Sequence, residues 1–187
     1  MSTAAIVVIV VLAVIVLALV GWFVTQSRRR KQLRERFGSE YDRTVDERKS
    51  RSKAERELAQ REERHEKLDI KPLSNTDRDR YAQQWTLIQQ QFVDRPESAV
   101  VEADRLVTVV MGERGYPTEG YQQQVSDLSV RHATTLDHYR SAHDIKTRSA
   151  DGQVATEDLR EAMVHYRSLF EDLLDSDVDD RHGKTRD

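Results

Sequence analysis

The stretch SNTDRDRYAQQWTLIQQQF, residues 74–92, decides the fold. Tyr81, Trp85, Ile88 and Phe92 fall at i, i+4, i+7 and i+11, which places them on one face of an α-helix. Ser74 with Asp77 three residues on is a helix-start signature, because the hydroxyl can accept an otherwise unpaired N–H of the first turn. Asp94-Arg95-Pro96 ends this helix. Pro96 suits the first turn of the next one, where no backbone N–H is needed.

Toward the C-terminus the pattern repeats. Val100, Ala103, Leu106, Val107 and Val110 share a face before the glycines at 112 and 115. Tyr116-Pro117 turns the chain, and a shorter helix carries Tyr121, Val125 and Leu128. Residues 134–148 present Leu136, Tyr139 and Ile145, and residues 149–155, with Asp151-Gly152, read as a loop. Thr156 is the expected cap of a last helix whose face is Leu159, Met163, Tyr166, Phe170 and Leu173. No stretch alternates with a period of two for long enough to propose a strand. Five apolar helical faces on short connections satisfy one another only by packing together. The expectation is an all-α fold with a small bundle over residues 74–174, followed by a disordered acidic tail over 175–187.

Toward the N-terminus, Asp69-Ile70-Lys71-Pro72-Leu73 interrupts the helical pattern, since proline disfavours helix at the residue before it. Residues 28–68 hold 15 Lys and Arg against 10 Asp and Glu. Leu33, Phe37, Tyr41 and Val45 recur every four residues, a stripe that drifts round a helix and does not hold a heptad seam. Beyond it, Glu47/Arg51, Glu57/Arg61 and Glu63/Lys67 are i,i+4 pairs that support a solvated helix. The region reads as a charged helical stalk, coiled-coil-like in outline, with a break at Gly38-Ser39. Fully helical, it would extend roughly 60 Å.

Residues 4–24 are an unbroken apolar run, and no charged side chain precedes Arg28. Some 21 residues at 1.5 Å rise reach roughly 31 Å, the thickness of a bilayer's hydrocarbon core. A cleaved signal peptide fits less well: the run is too long, no cation precedes it and no Ala-x-Ala follows. Trp22 and Phe23 sit where interfacial aromatics belong, just ahead of Arg28, Arg29, Arg30 and Lys31. The positive-inside rule then sets the N-terminus outside and the C-terminal domain in the cytoplasm. The four cations are candidates for contact with anionic headgroups.

The chain contains the stretches LRERFGSEYD at 33–42, LDIKPL at 68–73, DLSV at 127–130 and AMVHYRSLF at 162–170. Together they resemble a group of uncharacterised single-pass membrane proteins of actinobacteria, some of them labelled secreted. The resemblance implies the same architecture and carries no activity, cofactor or catalytic residue with it.

Composition narrows the function. The net charge is −3 and there is no cysteine, which removes disulfides, thiol nucleophiles and cysteine metal sites. No basic patch with interleaved aromatics points to nucleic acid. No glycine-rich phosphate loop, paired-histidine zinc helix or nucleophile elbow is present, so no catalytic, cofactor or metal residue is assigned. DSDVDD at 175–180 starts like a calcium loop but has Asp180 at the position of its glycine and Arg186 at that of its glutamate. Glu161 and His165 have a carboxylate–histidine spacing, with a surface pair as the simpler account. HYRS occurs twice, at 138–141 and 165–168, read either as coincidence in a helix-rich chain or as a shared surface of His138, Arg140, His165 and Arg167 for an anionic partner group. The expected function is a membrane-tethered, non-enzymatic protein-interaction module, with self-association possible. The alternatives are a ligand or enzyme pocket near Tyr81, Trp85, Tyr139 and His165, and an envelope spacer built on the stalk.

Overall fold

The computed structural model describes the backbone of residues 3–152 and 154–183, and the side chains of residue 12, residues 15–152 and residues 154–175. The fold is all-α. Its helices are α1 (Thr3–Phe37), α2 (Ser39–Arg48), α3 (Arg51–His65), α4 (Asn75–Gln91), α5 (Pro96–Glu113), α6 (Tyr121–Leu128), α7 (Ala133–Ala150) and α8 (Thr156–Gly183). They form two compact units, residues 1–59 and 60–187.

In the first unit the expected stalk is not one extended helix. Gly38 at φ 49° breaks α1 from α2, and Lys49 at φ 51° breaks α2 from α3. The chain doubles back: α2 packs on α1, and Arg34 bonds both carboxylate oxygens of Asp42 at 3.2 Å. Glu55 on α3 returns to α1, accepting from Arg30 Nε at 2.9 Å and Gln26 Nε2 at 3.2 Å, and also from Tyr41 Oη at 2.8 Å. Leu33, Phe37, Tyr41, Ala54 and Leu58 are buried, so the four-residue stripe is the apolar face of a folded unit. Burial, reinforced by Glu55, holds the Tyr41 phenol above its ordinary pKa and keeps it a donor.

The apolar run lies within α1. Leu12, Ile15, Val16, Leu17, Leu19, Val20, Trp22, Phe23 and Val24 are all exposed, and successive positions cover every side of the helix. Among the described residues no helix is long and apolar enough to cross a membrane. The side chains of residues 1–11, 13 and 14, about half of the run over 4–24, lie outside the described residues.

The second unit holds the predicted bundle and more. Its core joins Tyr81, Trp85, Val107, Met111, Leu128, Leu136, Tyr139, Tyr166, Phe170 and Leu173. Helices α7 and α8 pack as a long antiparallel pair, α5 lies across both, and α4 covers α5. The Trp85 ring stacks on Phe170 at 4.8 Å. At the start of α4 the Ser74 hydroxyl accepts the Asp77 N–H at 3.0 Å. Helix α5 ends in a Schellman motif: Tyr116 N–H bonds Met111 O, Gly115 N–H bonds Gly112 O, and Gly115 takes φ 93°.

Three boundaries differ from expectation. The unit begins at Gln60, not residue 74, because Leu68, Ile70 and Leu73 pack on the core and Lys71 N–H bonds Arg114 O at 2.9 Å. Thr156 is the first helical residue and not the cap; Asp158 supplies the cap by accepting the Ala155 N–H at 3.1 Å. The tail expected to be disordered from Asp175 is helical as far as Gly183. A helix already nucleated on a packed face adds residues at low cost, and this outweighs the poor propensity of Asp and Ser.

Candidate functional site

Several polar clusters and a groove interrupt the packing of the second unit among the described residues. In the first cluster, Asp172 Oδ2 lies 2.9 Å from His132 Nδ1, and His132 Nε2 lies 3.1 Å from Tyr116 Oη. Thr135 Oγ1 also donates to Asp172, at 2.6 Å. Burial works to raise the Asp172 pKa, but the bonds from His132 and Thr135, with the charge of Arg114, bring it below its ordinary value. Acid, imidazole and hydroxyl in a row resemble a proton relay. Here Tyr116 and His132 are 3% and 1% exposed, so imidazole and phenol are sealed in the packing, Asp172 alone reaches partly to the surface, and the row ties the start of α7 to α8.

The second cluster centres on Asp104 of α5. It accepts from Lys146 Nζ at 2.6 Å and Tyr166 Oη at 2.9 Å, and His143 Nδ1 is 3.8 Å away. Burial again opposes ionisation, and the nearby His143, with the bonds from Lys146 and Tyr166, outweighs it, so the carboxyl is held below its ordinary pKa. Burial and the neighbouring Asp104 push the Tyr166 phenol up. Tyr121 stacks on His143 at 3.8 Å, and Tyr139 Oη donates to Gln124 Oε1 at 2.7 Å. In the third cluster Asp127, fully buried, meets Arg64 Nε at 3.4 Å and Gln123 Nε2 at 2.6 Å.

The fourth cluster is the repeated HYRS motif. Its two tyrosines are buried, with ring centroids 6.2 Å apart, as the apolar stripe requires. The two histidines meet across α7 and α8: His138 Nδ1 is 2.9 Å from His165 Nδ1. Glu161 Oε1 lies 3.5 Å from His165 Nε2 on the other side of the ring. The arginines serve their own helices, Arg140 on Asp137 at 3.2 Å and Arg167 on Glu171 at 2.7 Å. The sequence therefore supplies a joined histidine pair flanked by separate arginine–carboxylate pairs.

The groove runs between α4 and α5, with a volume of about 650 Å³. Tyr81, Ile88 and Leu106 line it together with the exposed Leu87 and Val109, and Arg80 and Arg105 stand at its edges. Arg80 is held by Asp77 at 2.8 Å, whereas Arg105 is 75% exposed and 3.9 Å from Glu102. Of the four residues suspected of forming a pocket, only Tyr81 lines this groove. Trp85 is in the core, Tyr139 bonds Gln124, and His165 faces His138. Leu87 and Val109 were not singled out in the sequence, where an exposed apolar residue looks the same as a buried one.

At the cationic cluster, Arg28 and Arg29 are exposed, Lys31 is 3.7 Å from Glu35, and Arg30 is engaged by Glu55. Among the described residues no three His, Cys, Asp or Glu side chains converge as metal ligands. The chain matches no family model, no curated protein and no solved structure.

Proposed function

We propose that this chain is a membrane-anchored helical interaction module. Residues 4–24 cross the bilayer once, and the second unit faces the cytoplasm and holds a partner protein. The observation that carries the anchor is the set of exposed large apolar side chains, Leu12 and those between Ile15 and Val24, on every side of α1. A helix apolar all round belongs in lipid or in a core, and each Leu, Ile, Val or Phe adds a few tenths of a kcal/mol to insertion. Trp22 and Phe23 take the interface, and Arg28, Arg29 and Lys31 face the anionic headgroups. With Arg30 spent on Glu55, the headgroup contact rests on three cations instead of four. The resemblance to actinobacterial single-pass membrane proteins agrees with this architecture.

The partner contact is the α4–α5 groove. The occupant that fits is a helix of another protein, with apolar side chains set against Leu87, Ile88 and Val109 and a carboxylate reaching the loosely held Arg105. Tethering both to one surface raises their effective concentration, so a small contact suffices. A small-molecule site is the second reading, favoured by the groove volume, which lies within the range of ligand pockets.

The test uses the full chain in cells, with a photo-crosslinking residue in place of Leu87. One heterologous adduct in the membrane fraction, lost on Val109→Asp, is the expected result. An adduct with a second copy, or none above the level from the exposed Asp151 position, overturns the partner reading. Release of the chain by alkaline carbonate overturns the anchor. Orientation is read separately from Asp151→Cys: labelling of intact cells by an impermeant thiol reagent would place the domain outside.

A further inference from the structure

We propose that His138 and His165 form a two-histidine chelate for a divalent transition metal of the Cu(II) or Ni(II) type, clamping α7 to α8. The pair sits at the surface of the best-packed helix pair, His138 exposed and His165 partly so, and an ion can reach it from solvent. The spacing carries the case. Imidazole nitrogens bind these metals at about 2.0–2.1 Å, so two ligands in adjacent positions of a square-planar or octahedral centre stand roughly 2.9 Å apart. A tetrahedral centre separates them by roughly 3.4 Å. The two Nδ1 atoms are 2.9 Å apart, which matches the square geometry with no movement of either helix.

The ring orientations need one change. In the metal-free pair one Nδ1–H points at the other nitrogen, along the line joining them. A metal lies to the side of that line, so each ring reorients about its own Nδ1 by coupled changes in χ1 and χ2, the latter a torsion that is broad for histidine. Glu161 stands ready to support one ligand: its carboxylate is 3.5 Å from His165 Nε2, and on drawing closer it would favour the proton on that nitrogen and leave Nδ1 as the lone-pair donor. Carboxylate, histidine and metal in this order is the usual outer-shell support of a ligating imidazole. His138 must then carry its proton on Nε2, so binding shifts its tautomer and not its charge. Two protein ligands leave the remaining positions to water, which makes the site exchangeable and not a closed structural centre.

The site is independent of the membrane and partner readings. The untagged full chain in detergent, stripped with chelator, would be titrated with CuCl2 and with NiSO4 while its melting temperature is followed. At a metal concentration a hundredfold above the dissociation constant the expected rise is roughly 5–10 °C, reversed by EDTA. The Cu(II) electron paramagnetic resonance spectrum should show coupling to two nitrogens. His138→Gln and His165→Gln should each abolish the rise and reduce the coupling, while melting without metal as the parent does. His182→Gln should change neither, and Glu161→Gln should weaken binding several-fold. No metal-dependent rise in the parent, or a rise that survives both His138→Gln and His165→Gln, overturns the proposal.

Discussion

A single methyl group at Gly115 would meet the backbone of another segment: a Cβ built there lies 2.2 Å from Asp69 O, and the residue sits at φ 93°. Gly120 has φ 85° but nothing within 4 Å of the same position. The two glycines separate conformational strain from collision. Gly120→Ala should cost about 1–2 kcal/mol, the penalty of left-handed backbone for an L residue. Gly115→Ala adds a clash with a carbonyl and should cost about 3 kcal/mol or more, read as a shift in the urea midpoint of the full chain in detergent. The sequence marks Gly115 as punctuation, since a glycine after a periodic run signals a helix end, whereas Gly120 precedes α6 and carries no such mark. Which one is pinned depends on Asp69, a neighbour in space that no local pattern identifies. The histidine pair was legible in the same partial way. The repeat of HYRS put both tyrosines on the buried stripe, but that the histidines would touch depended on the register of α7 against α8.

At the scale of elements the five bundle helices were readable because each carries a 3.6-period face, sharpened in α4 and α5 by the cap Ser74 and by Pro96. The fold of residues 28–59 was not. Lys49 takes φ 51° inside the run RKSRSK, which has no glycine or proline to mark a turn. Lys49→Gly should therefore stabilise the first unit by about 1 kcal/mol, because the left-handed C-cap position then carries no side-chain penalty. Glu55→Ala should do the reverse. It removes the one acceptor shared by Gln26, Arg30 and Tyr41, and leaves the buried phenol with no carboxylate to bond. Hydrogen exchange resolved by segment checks both: α1 from residue 26, α2 and α3 to residue 59 should exchange faster in Glu55→Ala and slower in Lys49→Gly. Protection in α5, α7 and α8 should not change. Equal loss across both units would show that Glu55 supports more than its own unit.

Across the whole molecule, acid should act through Asp104 and Asp172. Both have folded-state pKa values below the ordinary carboxylate value of about 4. Their contribution is therefore complete above that value and is lost as pH falls through the depressed ones. Melting temperature followed from pH 5 to pH 2 should fall steeply below about pH 4, and Asp172→Asn should lower it at neutral pH while flattening that fall. An unchanged slope would mean that other carboxyls carry the acid sensitivity. The second whole-molecule test concerns where the domain begins. Ser74 caps a helix, and a capped helix invites the inference that the domain starts with it. The packing argues otherwise. A fragment of residues 74–183 loses Leu73, buried to 4% exposure, together with the partly buried Leu68 and Ile70. Full burial of one such side chain stabilises by about 1.5–3 kcal/mol. The same cut removes Arg64, a cation paired with the fully buried Asp127. A fragment of residues 60–183 keeps all of these contacts. With a domain stability of about 5–15 kcal/mol to draw on, the longer fragment should melt cooperatively and the shorter one should lose most or all of its stability. Circular dichroism melts of the two fragments decide the matter. Equal melting temperatures would return the boundary to Ser74 and reduce residues 60–73 to a linker lying on a bundle that does not need them.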